Sequence, residues 1–68
     1  MDAYEKIIIE ISKYPKNHYR SLGLQKTVNL HISGLKVTAH KMKNTNVGRI
    51  CAQEANRYQR LLDAATSK

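Results

Sequence analysis

Residues 26–41 read KTVNLHISGLKVTAHK, and every other assignment in the chain depends on them. Val28, Leu30 and Ile32 alternate with Thr27, Asn29 and His31. After Ser33 and Gly34, the apolar residues Leu35, Val37 and Ala39 alternate with Lys36, Thr38 and His40. Period two on both sides of a two-residue turn is the pattern of a β-hairpin, because successive strand side chains point to opposite faces. The implied register is self-consistent. It sets Ile32 against Leu35, Leu30 against Val37 and Val28 against Ala39, so each apolar side chain meets another. The polar face then holds His31 across from Lys36, Asn29 across from Thr38, and Thr27 across from His40.

On the N-terminal side, Asp2 to Tyr14 reads as a helix. Asp2 and Glu5 have the spacing of a capping box, and Tyr4, Ile7, Ile8 and Ile11 share a face. Pro15 ends it, since proline restricts the residue before it and lacks an N–H. Residues 16–25, KNHYRSLGLQ, read as a loop or as a short strand through His18–Leu22. On the C-terminal side, KNTN at 43–46 is a polar loop, and Thr45 or Asn46 caps a last helix running to about Ala65. Its apolar stripe is Val47, Ile50, Cys51, Ala55, Tyr58, Leu61 and Leu62, with Arg49, Gln53, Asn56 and Arg60 opposite. Glu54 and Arg57 stand three apart and pair. The expected fold is α+β: helix, β-hairpin with room for a third short strand, helix, with both helices packed on the hairpin. The whole of 1–68 is one small basic domain.

Charge is unevenly spread. No acidic residue occurs from Ile11 to Gln53, a stretch with eight Lys or Arg and all three histidines. The net charge is +7, and the acids Asp2, Glu5, Glu10, Glu54 and Asp63 lie toward the two ends. A positive field over one region of a small fold attracts polyanions, of which nucleic acid is the commonest. A chain of 68 residues buries only about 60% of its unfolded surface, so its core is thin and a homodimer would add to it. A single cysteine, Cys51, makes no internal disulfide, which fits a cytoplasmic protein, or the host cytoplasm for a viral one. The apolar run Ile7–Ile9 is three residues long and flanked by Glu5 and Glu10, unlike a signal peptide.

Two other chemistries are weighed and set aside. His18, His31, His40 and Cys51 lack the spacing of a zinc site, and Cys51 belongs to an apolar stripe. There is no glycine-rich phosphate loop, no nucleophile motif and no carboxylate pair in the middle of the chain. No cofactor, metal or catalytic residue is expected, and the protein reads as non-enzymatic.

Three families of nucleic-acid-binding proteins offer partial likenesses. With His18–Leu22 as a strand, the order helix, three strands, helix resembles a double-stranded-RNA-binding domain, without that family's minor-groove loop or lysine cluster. KTVNLHIS followed by a helical LKVTAHKMK resembles ribbon-helix-helix repressors, in which Lys26, Asn29 and His31 would face DNA, but the segment before the last helix is a turn too short. Ile32, Ser33, Val37, His40, Gly48 and Ile50 are spaced similarly to winged-helix proteins, although Lys41 and Asn44 stand at positions which that family keeps apolar. None of these identifies the chain.

The expected function is non-enzymatic nucleic-acid binding, DNA ahead of RNA, in a regulatory or architectural role. The candidate contact residues are Asn29, His31, Lys36, Thr38, His40 and Lys41 on the hairpin, Lys43 in the loop, and Arg49, Gln53 and Arg60 on the last helix. Lysine and arginine neutralise phosphates, while Asn, Gln and His suit finer contacts. The free N–H groups near Val47 and Gly48 suit a phosphate as well. The alternative is a small phage or mobile-element type protein that inhibits or modulates a host nucleic-acid-handling complex through that complex's acidic surface.

Overall fold

Residues 26–41 are helical. In the computed structural model, which describes residues 1–67, they form the larger part of one 23-residue helix. The elements are α1, Ala3–Ser12; α2, Tyr19–Lys41; and α3, Asn46–Thr66. No strand occurs among the described residues, so the α+β class, the β-hairpin and the short strand at His18–Leu22 are corrected to a three-helix bundle. The likenesses to double-stranded-RNA-binding and ribbon-helix-helix proteins fall with the strands they require. The winged-helix likeness has no wing to rest on.

The coincidence of the two patterns has a definite cause. Val28, Ile32, Leu35 and Ala39 are spaced four, three and four apart, which is one face of a helix as well as one face of a hairpin. Among the apolar residues of this stretch, the two readings differ over Leu30 and Val37. In the hairpin register these pair in the core; in the helix they point outward, where Leu30 is 65% and Val37 52% exposed. Ser21, Val28 and Ile32 are buried, and Leu24 and Leu35 pack beside them, which continues the 3–4 spacing along α2.

The same spacing runs through α3, where Gly48, Ala55, Tyr58 and Leu62 are buried and Cys51 and Ala65 half-buried. α2 and α3 therefore pack seam to seam as an antiparallel helical hairpin. α1 lays Ile8 and Ile11 against both, and these form one core with Val28, Ile32, Ala55, Tyr58 and Leu62. Ser21 is also fully buried; its hydroxyl accepts from Gln25 Nε2 at 2.9 Å, and the same amide donates to the Lys16 carbonyl at 3.0 Å.

Helix ends follow local sequence. α1 carries the expected capping box, with the Asp2 carboxylate accepting from the Glu5 N–H at 2.8 Å. His18 caps α2 through Nδ1, which accepts from the Arg20 N–H at 3.1 Å. Thr45 caps α3, its Oγ1 accepting from the Gly48 N–H at 3.1 Å. The four-residue turn before α3 reverses the chain at Asn44, whose φ of 68° is the left-handed conformation that asparagine tolerates. No helix among the described residues is long and apolar enough to cross a membrane.

Gly34 distinguishes the helix from the hairpin experimentally. Neither it nor Gly23 has positive φ, and a Cβ at either position would meet nothing within 4 Å. Alanine in a helix interior is favoured over glycine by about 1 kcal/mol. Gly34→Ala is expected to raise the melting temperature by about 4–8 °C, followed by circular dichroism. At a hairpin turn the same change would lower it.

Candidate polyanion interface

The carboxylates are gathered away from most of the cations. Arg57 holds three of the five: Glu54 at 2.8 Å, and Asp2 and Glu5 each at 3.5 Å. Of the other two, Glu10 pairs with Lys13 at 3.3 Å, and Asp63 accepts from Gln59 Nε2 at 2.9 Å. Lys36, Lys41, Lys43, Arg49 and Arg60 are all exposed, and none forms an ion pair among the described residues.

The proposed polar face of the hairpin splits in two on a helix. At about 100° per residue, Asn29, Lys36 and His40 fall within about 40° of each other, while His31 and Thr38 point the opposite way. Burial agrees: Asn29, Lys36 and His40 are exposed, and His31 and Thr38 are half-buried. His31 faces inward, its ring stacked on Tyr4 at 3.7 Å with 3° between planes and edge-on to Tyr58 at 5.4 Å. It and Thr38 leave the candidate surface. Lys41 and Lys43 stand at the tip of the helical hairpin, around the turn.

The α3 stripe survives intact. Arg49, Gln53, Asn56 and Arg60 are exposed and lie within about 60° of one another. Its direction can be fixed from α1. Tyr4 of α1 stacks on His31 of α2, and Asp2 bonds Tyr58 of α3, so these two residues mark the side that holds α1. Asn29, Lys36 and His40 point roughly opposite to His31, and Arg49, Asn56 and Arg60 roughly opposite to Tyr58. Both stripes therefore lie on the broad side of the α2–α3 hairpin turned away from α1. Where that side reaches the turn, Lys43 and Arg49 rim one shallow dent of about 290 Å³, together with Asn44, Thr45 and Gly48. The Gly48 N–H is already taken by Thr45, which leaves the N–H groups before it for an anion.

Charge and spacing in the sequence marked Arg49, Arg60, Lys36 and Lys43. Missing from it was the group that draws the acids together. Tyr58 Oη donates to the Asp2 carboxylate, and the Arg57 guanidinium lies 4.6 Å over the Tyr58 ring. The hydrogen bond from Tyr58, then that from the Glu5 N–H, lowers the Asp2 pKa to about 2. Burial, then the bond to Asp2, raises the Tyr58 hydroxyl to about 12. Hydrogen bonding to Arg57 lowers Glu54. The capping box and the Glu54–Arg57 spacing were each readable alone. That they meet, 56 residues apart in sequence, was not.

This predicts an acid limb of stability. Asp2 has an ordinary value of 3.8 and a folded value of about 2, so its contribution is complete above pH 3.8 and lost as pH falls through about 2. Melting temperatures of the wild type and Asp2→Asn are expected to differ at pH 6 and to converge by about pH 2, because asparagine keeps the cap but not the charge. Curves that stay parallel across that range would remove Asp2 from the linkage.

Among the described residues no group of three His, Cys, Asp or Glu could hold a metal ion. No protein-family model matches the chain, and neither a curated protein nor a solved structure is significantly similar to it. No finding supports a phage or mobile-element origin.

Proposed function

We propose that the protein is a non-enzymatic nucleic-acid-binding module of the cytoplasm, acting on duplex DNA in the first place. It grips phosphates with the side of the α2–α3 hairpin turned away from α1. The observation that carries this reading is charge segregation: three carboxylates surround Arg57, while Lys36, Lys43, Arg49 and Arg60 are exposed without acidic partners. Leaving cations unpaired on one side of a marginal fold costs stability through self-repulsion, which a polyanion relieves. Lys36, Arg49 and Arg60 neutralise phosphates, with Lys43 and Arg49 sharing the dent at the tip. Asn29, Gln53 and His40 lie between them and supply hydrogen bonds to phosphate, sugar or base edges.

The test is binding of duplex DNA, single-stranded DNA and duplex RNA across a salt series. Affinity for the duplex is expected to fall steeply with salt, by about 0.9 log unit per log unit for each phosphate neutralised. Lys36→Glu with Arg49→Glu is expected to weaken binding at least about tenfold while melting is unchanged, since an acid in the first turn of α3 suits the helix dipole. Affinity no tighter than about 1 mM for all three ligands at low salt overturns the reading and points to an acidic protein surface instead.

A further inference from the structure

The side of the helical hairpin that holds α1 is only partly covered. The molecule is 39 Å long, whereas the ten residues of α1 span about 15 Å. The N-terminus of α1 stops level with His31 and Tyr58, as the Tyr4 stacking and the Asp2 hydrogen bond fix. From there to the Met42–Thr45 turn the same side continues bare. Val47 and Ile50 lie one heptad before Glu54 and Arg57, hence on the same face about 10 Å nearer the tip. They are 50% and 58% exposed. Met42, at the tip, is exposed as well, and Leu35 and Cys51 are half-buried along the two helix seams. This apolar strip has the acid cluster Asp2, Glu5 and Glu54 at one end and Lys41 and Lys43 at the other.

We infer that the strip is a homodimer interface and that its occupant is a second copy of this chain, packed antiparallel about a two-fold axis. That arrangement lays the apolar strip of each copy on itself, as an isologous interface requires. It also brings Lys41 and Lys43 of one copy toward Asp2, Glu5 and Glu54 of the partner subunit, where three carboxylates share one guanidinium. A nucleic acid would be repelled by the acidic end and gain nothing from the apolar middle. An acidic peptide meets the same repulsion. Only a surface with both signs at this separation matches, and the chain itself has one. The inference stands apart from the nucleic-acid reading, because its apolar strip lies on the opposite side of the hairpin and both basic stripes still face outward; Lys43, at the tip, is the one residue common to the two.

Sedimentation equilibrium of the full chain over roughly 1 μM to 1 mM, the range of weak to moderate affinities, tests it. A reversible dimer is expected at about 0.1 M salt, weaker at about 1 M because its end contacts are ionic. Val47→Asp is expected to weaken it at least tenfold, and aspartate in the first turn of α3 favours the helix, so loss of dimer is not loss of fold. Circular dichroism checks this. Lys41→Glu with Lys43→Glu is expected to weaken the dimer about tenfold, as like charges then meet. Leu22→Asp, on the side away from α1, is expected to leave it unchanged. A monomer over the whole range overturns the inference, as does a Val47→Asp or Lys41→Glu/Lys43→Glu variant that dimerises like the wild type.

Discussion

Gly48→Ala is expected to destabilise the protein by about 2 kcal/mol, opposite in sign to the same change at Gly34. A Cβ on Gly48 would run into the Met42 carbonyl and lie 3.2 Å from the Ala39 carbonyl oxygen. Both are backbone atoms at the end of α2, so no side chain can swing aside. Relief requires the first turn of α3 to move off α2, which opens the seam at Ala39 and Cys51. The gain of about 1 kcal/mol in helix propensity offsets only part of this. A domain of this size has a net stability of roughly 3–10 kcal/mol, so the loss is a large share. The melting temperature is expected to fall by about 10 °C. An unchanged or higher value would mean that the two helices do not approach at Gly48.

Tyr58→Ala is expected to have the largest effect of any single substitution, about 3–5 kcal/mol. Tyr58 is buried at 4% exposure and is where all three helices meet. Its ring stands edge-on to Tyr4 of α1 at 6.1 Å and to His31 of α2 at 5.4 Å, and its hydroxyl holds the capping residue of α1. Removing it leaves a cavity at the junction and frees Asp2. Since the loss approaches the whole stability of the domain, denaturant titration should find the variant largely unfolded, or folded only as an α2–α3 hairpin with α1 released. Tyr58→Phe separates the two contributions: it keeps the ring and is expected to lower stability only modestly, with a difference from wild type that shrinks as Asp2 protonates toward pH 2. A Tyr58→Ala variant as stable as wild type would contradict the three-way packing.

The candidate surface takes a different shape on a helix than on a strand. Period two placed Asn29, His31, Lys36, Thr38 and His40 on one face; the 3.6-residue period keeps Asn29, Lys36 and His40 together and turns His31 and Thr38 inward. The α3 stripe follows the helical period in sequence and in structure alike, and Arg49, Gln53 and Arg60 are exposed and aligned. The N-cap at Asp2 and the start of α3 were legible too, because capping is a local contest between one side chain and the next N–H groups. Residues 16–25 were not, since His18 is an uncommon cap and Gly23 lies inside α2 rather than at its end.

By itself, the sequence determined the composition of the surface and the two end helices: an acid-free middle, a capping box, an amphipathic C-terminal stripe and the pairing of Glu54 with Arg57. It left residues 26–41 balanced between two periods, because Val28, Ile32, Leu35 and Ala39 satisfy both. Only tertiary structure broke that tie. A helix there sets its 3–4 seam against the matching seam of α3 and gives Ile8 and Ile11 of α1 a place to bury. The cost is that Leu30 and Val37 face water, a loss that local pattern forbids and that burial in the three-helix core outweighs. The acid cluster was likewise decided in three dimensions, since Asp2 and Tyr58 meet only once α1 has docked.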